Sequence, residues 1–202
     1  MSEIYSYCPT ISFRGVGGPL MQQSNLSCVS NYNRLAVMGF WEVLKDLNFF
    51  LKTKKTIIND IVTTKPEKII LIDYPGFNLS LAKSIKKILN IPIIFYISPQ
   101  VWAWKESRYK KIEKYVDKLI VLFPFEVDWY RKKNIHVKYF GHPLVDLYNK
   151  YSACSKQKAP ALSVGLFPGS RKQEISHHFN LFLDVIDRLN RRDSDFKFIV
   201  AK

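Results

Sequence analysis

The chain has 202 residues, of which 47% are hydrophobic and 24% are charged, a composition that indicates a globular protein and excludes wholesale disorder. Its formal net charge of +14 favours anionic partners: phosphorylated substrates, anionic lipids or nucleic acid. Cys8, Cys28 and Cys154 form no metal-binding pattern, and their odd number argues against a disulfide framework. The sequence contains neither a transmembrane run nor a signal peptide, so we expect a cytoplasmic protein.

Apolar runs that alternate with helical patterns predict an α/β fold. Residues 12–21 predict a short strand before a glycine-rich turn, and residues 35–61 predict a helix. The run 68–73 is continuously apolar, which is typical of a strand buried on both faces of a parallel sheet. Further strands are predicted at 91–97, 117–123 and 137–140, and helices at 78–89, 106–114 and 126–133. These repeated units indicate an open parallel sheet with helices on both faces.

The same alternation begins again after a polar segment. Residues 1–148 are predicted to form the first domain, and the unpatterned residues 149–161 a linker. Residues 162–202 then predict a strand at 163–167, a helix at 173–190 and a strand at 196–201. One such unit cannot bury both faces of its sheet, so we expect a second domain that is cut short.

Ligands of open α/β sheets bind beyond the carboxyl ends of the strands, and polar or aromatic residues follow several predicted strands. Asp73 can accept a proton from an attacking hydroxyl there, or it is a simple turn residue. Trp102 and Trp104 suit a sugar face or an acyl chain, or they cap the local core. His142 is either a substrate contact or a hinge residue satisfied by the backbone.

Three further segments have both a binding and a structural interpretation. Ser170 and Arg171, at the start of a predicted helix, suit a diphosphate or form an ordinary helix cap, which Glu174 strengthens. The glycine-rich turn 15–18 permits close approach of a ligand or merely a tight turn. The stretch 35–51 is more apolar than one helical stripe needs, so it suits either the core or a membrane surface.

Taken together and in order, these segments resemble the lipid-A-disaccharide synthase family of glycosyltransferases. The resemblance runs from about residue 11 onward, and no single motif in it is decisive. The matching segments are Phe13–Met21, Leu35–Leu44, Ile72–Asn78, Ser98–Trp104, Phe123–Glu126, Gly141–Asp146 and Leu166–Glu174.

The resemblance implies a GT-B fold, in which two Rossmann-like domains face a cleft. It implies transfer from UDP-2,3-diacylglucosamine to 2,3-diacylglucosamine 1-phosphate, with inversion, release of UDP and no metal or other cofactor. Asp73 corresponds to the family's essential carboxylate, and Arg171 to its essential arginine near the diphosphate. The other substrate-binding residues implied are Gly17, Gly18, Met38, Asn78, Ser98, Gln100, Trp102, Trp104, His142, Ser170 and Glu174.

The chain also departs from the family pattern. The family's opening motif, Gly-Glu-Ala-Ser-Gly-Asp, is absent, as are its later nucleotide-binding segments. We therefore expect a fragment, inactive alone, of an enzyme that is peripheral to the anionic inner membrane and is a possible homodimer. Another GT-B glycosyltransferase and a non-catalytic basic membrane-binding module are the alternatives. Nucleic acid is not expected as a partner, because no aromatic-basic platform for single strands is present.

Overall fold

The computed structural model describes residues 1–30, 47–152, 162–170, 172–192 and 196–201. It divides into two compact units, Met1–Pro143 and Leu144–Lys202. The first unit contains, in chain order, α1 (Ser2–Tyr7), β1 (Phe13–Gly15), α2 (Pro19–Gln23), β2 (Leu26–Cys28), α3 (Leu47–Thr64), β3 (Ile69–Ile72), α4 (Pro75–Lys86), β4 (Ile93–Tyr96), a 3-10 turn (Glu106–Arg108), α5 (Tyr109–Tyr115), β5 (Lys118–Val121), α6 (Pro124–Arg131) and β6 (Val137–Tyr139). It is followed by α7 (Pro143–Ser152), β7 (Ser163–Leu166), α8 (Lys172–Arg192) and β8 (Lys197–Val200).

A parallel sheet of four strands, in the order β3-β4-β5-β6, organises the first unit. Ile69 pairs with Ile93, and Leu119 pairs with Phe95 and with Val137, so the strands stay in register across the sheet. β1 and β2 form a separate parallel pair. The predicted α/β class with parallel sheets is confirmed, although β2 and the short helices α1 and α2 were not predicted.

The core of the first unit lies on one face of this sheet. Leu71, Phe95 and Val121 point into a cluster that also contains buried residues of α3, α4, α5 and α6. On β3, Ile70 and Ile72 alternate with the core residues and are 47% and 42% exposed. The prediction that 68–73 is buried on both faces is therefore wrong. Among the described residues, the helices that connect β3 to β6 lie on one face of the sheet, because right-handed crossovers between sequential neighbours place them on the same side.

Proline marks the start of three helices that follow strands of the main sheet. Pro75, Pro124 and Pro143 are the first residues of α4, α6 and α7, a position that tolerates proline because its N–H would have no partner within the helix. α4 and α6 consequently begin three and two residues before the predicted positions, 78 and 126. α7 was not predicted and continues to Ser152, so residues 149–152 are helical rather than linker, and residues 153–161 lie outside the described residues.

The second unit repeats the strand-helix-strand pattern. β7 and β8 pair in parallel, with Val164 opposite Phe198, and α8 connects them. This unit was predicted from the sequence, with the helix ends each differing by one or two residues. Within the part of the chain that the structure describes, no helix has the length and apolarity needed to cross a membrane.

Candidate substrate-binding pocket

An open pocket of about 320 Å³ lies at the carboxyl ends of the main-sheet strands in the first unit. Its lining comes from the segments after three neighbouring strands: Asp73 and Pro75 after β3, residues 97–100 and Trp104 after β4, and Leu122, Phe123 and Glu126 after β5. This is the edge where parallel α/β sheets bind ligands. The structure therefore brings together four of the residues predicted from the sequence, namely Asp73, Ser98, Gln100 and Trp104.

Asp73 sits where β3 turns sharply into α4. Asp73 and Tyr74 both have left-handed backbones, with φ of 48° and 47°, a conformation that Asp tolerates better than most residues. The Asp73 N–H donates to the Tyr96 carbonyl at 2.9 Å, which ties the turn to β4. Asn78 Nδ2 donates to the carbonyls of Ile72 and Asp73 at 3.1 and 2.7 Å. Asn78 thus supports the turn from behind, and the exposed Asp73 carboxylate can receive a proton from a bound hydroxyl.

The loop after β4 forms the second wall. Ile97 opens it with φ of 67°, an unusual value for a β-branched residue. Buried Ser98 shares a 2.7 Å hydrogen bond between its Oγ and Tyr130 Oη, which anchors the loop to α6. Burial raises the pKa of Tyr130 well above its ordinary value, so the phenol keeps its proton. The Gln100 carbonyl accepts the N–H groups of Ala103 and Trp104, which curls the loop back toward the pocket.

Trp104 gives the pocket an aromatic edge flanked by positive charge. Lys105 Nζ lies 4.4 Å from the centroid of the Trp104 ring, and Arg108 Cζ lies 5.4 Å from it. These cation–π contacts place an ammonium and a guanidinium on an exposed indole. The arrangement can bind a sugar face through the ring and an anionic substituent through the two cations.

Glu126 lines the pocket and was missed by the sequence analysis. Its side chain is 1% exposed, and its Oε2 accepts the N–H groups of Leu122 and Phe123 at 3.1 and 3.0 Å. Its Oε1 accepts the indole N–H of Trp102 at 3.3 Å. A glutamate two residues after the first helical proline is the sequence signal of this cap.

Aromatic side chains continue from this glutamate along the margin of the pocket. Trp102 meets Phe125 edge to face with ring centroids 5.0 Å apart, and Phe125 stacks on Phe123 at 5.6 Å. His142 lies against the other side of Phe123, also at 5.6 Å between centroids. Trp102 and His142, both predicted site residues, are therefore beside the pocket rather than among its lining residues.

The glycine-rich turn does not line this pocket. Gly17 is buried, and a Cβ there would lie 2.5 Å from Leu26 Cδ2, so the turn packs tightly against β2. Gly18 precedes α2, and its carbonyl accepts the N–H groups of Met21 and Gln22. Gly17 therefore has a structural role in this turn, and neither glycine is among the lining residues of the pocket. Met38 and most of the apolar stretch 35–51 lie outside the described residues.

The predicted diphosphate loop belongs to the second unit. Gly169 has φ of 98°, and the Ser170 N–H donates to Glu174 Oε2 at 3.2 Å. Glu174 thus holds the backbone donor that an anionic ligand would also use. His178 Nδ1 lies 3.1 Å from the Pro168 carbonyl, which fixes the other end of the loop to α8. Arg171 lies outside the described residues. Within the described ranges, no group of three or more His, Cys, Asp or Glu side chains is placed to hold a metal ion.

Parallel strand-helix units and a pocket at their carboxyl edge define a Rossmann-like α/β chain. A family model described as lipid-A-disaccharide synthetase matches residues 1–202, and the chain belongs to that family. It is 40% identical over 198 residues to the lipid-A-disaccharide synthase of Geobacter metallireducens, covering 95% of this chain and 51% of that protein. It is 35% identical over 209 residues to lipid-A-disaccharide synthase 1 of Legionella pneumophila, covering 99% and 54%. The resemblance inferred from the motifs is therefore confirmed, and the chain spans about half the length of the curated relatives it matches.

Proposed function

We propose that the protein is an inverting glycosyltransferase that joins UDP-2,3-diacylglucosamine to 2,3-diacylglucosamine 1-phosphate, giving lipid A disaccharide 1-phosphate and UDP. The observation that carries the proposal is the Asp73 carboxylate at the strand-end pocket of a chain that belongs to the lipid-A-disaccharide synthetase family. The names of the relatives support the same reaction.

Asp73 is proposed as the general base. Inversion requires a single displacement, in which the acceptor hydroxyl attacks the sugar carbon as it loses its proton. The exposed carboxylate faces the pocket from a turn that Asn78 and the Tyr96 carbonyl hold in place. These bonds fix the backbone that carries the base, which reduces the reorganisation needed when the hydroxyl binds.

The departing diphosphate is proposed to bind the segment 168–171 of the second unit. Arg171 would supply a bidentate cation, and the Ser170 N–H a backbone donor. Because this N–H already donates to Glu174, the diphosphate must displace that carboxylate or bind beside it. We propose that arginine and backbone donors take the place of a metal ion, and that the UDP-sugar is a substrate with no further cofactor required.

The acceptor is proposed to lie against Trp104. The indole suits the face of the sugar, while Lys105 and Arg108 suit its phosphate. The net charge of +14 supports peripheral association with the anionic inner membrane, where acylated substrates reside. We propose this location and a possible homodimer of the whole protein, with no nucleic acid partner.

The test is transfer by the protein purified from cells that carry its own gene. The two acylated substrates are supplied in detergent micelles with a metal chelator, and both UDP release and the mass of the disaccharide are measured. Asp73→Asn is expected to reduce kcat by about 10²- to 10⁴-fold, the usual contribution of a general base. Asp128→Asn is the matched control, because Asp128 is an exposed carboxylate paired only with Arg131 in the described contacts and is absent from the pocket lining.

Other outcomes would contradict the proposal in distinct ways. Transfer from non-acylated UDP-sugars in preference to acylated ones would indicate a different GT-B enzyme. Absence of transfer, combined with salt-sensitive vesicle binding that Asp73→Asn leaves unchanged, would indicate a basic membrane-binding module.

A further inference from the structure

Glu126 makes more contacts than a helix cap requires. Capping α6 needs only the bond from the Phe123 N–H to Oε2. The same oxygen also accepts the Leu122 N–H, and the second oxygen, Oε1, accepts the indole N–H of Trp102. Both oxygens of a carboxylate that is 1% exposed are therefore occupied by donors from two different segments.

These two segments are different walls of the pocket, which follow the neighbouring strands β4 and β5. Leu122 and Phe123 lie in the wall that follows β5, whereas Trp102 belongs to the loop that follows β4, between the lining residues Gln100 and Trp104. Trp102 is 40% exposed, so its indole receives limited packing from the core. Trp102 instead contacts α6, through its hydrogen bond to Glu126 and its edge-to-face contact with Phe125. These contacts hold the 98–104 loop against α6.

We propose that Glu126 is a positioning residue that joins these two pocket walls and thereby sets the spacing between them. The inference rests on the proposed function for its effect on activity, since a looser 98–104 loop would bind substrate less well. The contact from Trp102, at 3.3 Å, is the one that separates positioning from capping, because it alone comes from the loop after β4.

The test uses an isosteric change at Glu126 and an aromatic replacement at Trp102. Glu126→Gln retains one oxygen, which stays with the two backbone N–H donors and leaves an amide nitrogen facing the indole N–H. Trp102→Phe removes the indole N–H and keeps an aromatic ring against Phe125. Glu113→Gln is the matched control, because Glu113 is exposed on α5, loses the same charge and does not line the pocket.

The first readout is the indole N–H signals of the chain's four tryptophans, recorded by ¹⁵N NMR, with Trp102 identified by its loss in Trp102→Phe. Glu126→Gln is expected to shift the Trp102 signal and to speed its exchange with solvent, whereas Glu113→Gln leaves it in place. The second readout is KM for the acylated sugars. Glu126→Gln and Trp102→Phe are each expected to raise KM by about tenfold, which corresponds to about 1.4 kcal/mol, with kcat nearly unchanged.

The double variant is expected to show no greater rise in KM than either single variant, because both remove one contact. An unchanged Trp102 signal in Glu126→Gln would overturn the proposal, as would a shifted signal with unchanged KM. If the unaltered 202-residue chain transfers no sugar, as expected of a fragment alone, the Trp102 signal in Glu126→Gln by itself decides whether Glu126 holds the loop.

Discussion

Replacement of Asp117 by alanine should destabilise the main sheet at the edge opposite the pocket. Asp117 directly precedes β5, and its Oδ2 accepts the N–H of Ile93, the first residue of β4, at 2.6 Å. Lys86 Nζ, at the end of α4, lies 2.7 Å from the same oxygen. The carboxylate thus connects two strands and a helix, and its backbone N–H donates separately to the Ile93 carbonyl.

The loss of unfolding free energy can be estimated from the two contacts that the alanine removes. Ile93 is fully buried, so loss of its acceptor strands a buried N–H at a cost of about 1–3 kcal/mol. The ion pair adds less than about 1 kcal/mol, because the Asp117 side chain is 47% exposed and its charge is screened by water. Asp117→Ala should therefore cost about 1–4 kcal/mol of unfolding free energy, whereas Lys86→Met should cost less than about 1 kcal/mol.

Urea unfolding followed by circular dichroism at 222 nm measures these differences in unfolding free energy. Asp117→Asn is the informative control, because its amide oxygen can still accept the Ile93 N–H while the charge is lost. We expect the order of stability to be unaltered protein, then Lys86→Met and Asp117→Asn together, then Asp117→Ala. If Asp117→Ala is no less stable than Lys86→Met, the bond to Ile93 contributes nothing and the reasoning is refuted.

Three shorter predictions concern backbone strain and pH. Asp73→Ala should lower the melting temperature more than Asp73→Asn does, because alanine tolerates a left-handed backbone worse by about 1 kcal/mol. Burial raises the pKa of Asp117, but the hydrogen bonds from Lys86 and the Ile93 N–H outweigh burial, so the pKa is lowered overall. The contribution of Asp117 to the unfolding free energy should therefore be lost progressively below about pH 3.8, which urea unfolding at a series of pH values measures. Gly169→Ala should change the NMR signals of the second unit, because its Cβ would lie 2.5 Å from Glu174 Oε2.

The strands β3, β4 and β5 were predictable because each lies in a short, mostly apolar run between turn signals. Residues 69–72, 93–96 and 118–121 all lie inside the predicted strands, and their parallel arrangement follows from the helices between them. Which face of the main sheet packs against the core could not be predicted in the same way. A run such as Ile69–Ile72 is apolar at every position, so its pattern does not distinguish the core residue Leu71 from the exposed Ile70.

The pocket was predicted in part, through the residues that directly follow strands. Asp73 and Trp104 were found because strand ends can be located from the sequence, whereas Ser98 and Gln100 were implied by the family resemblance. Glu126 was missed because the helix was expected to begin at residue 126, although Pro124 places its start two residues earlier. With the helix start corrected, the glutamate occupies the capping position, but its bond to Trp102 depends on a tertiary contact across 24 residues that no local pattern reveals.

The strained backbone at the pocket edge also depends on tertiary contacts that the local sequence does not reveal. Asp73, Tyr74 and Ile97 are left-handed although none is glycine, and each conformation costs on the order of 1 kcal/mol or more. The surrounding structure holds them through the Asn78 bonds to the β3 end and the Ser98 bond to Tyr130. Local preference alone would have placed glycine at such turns. The chain carries side chains there instead, and the proposed role of the Asp73 carboxylate in binding and chemistry accounts for one of them.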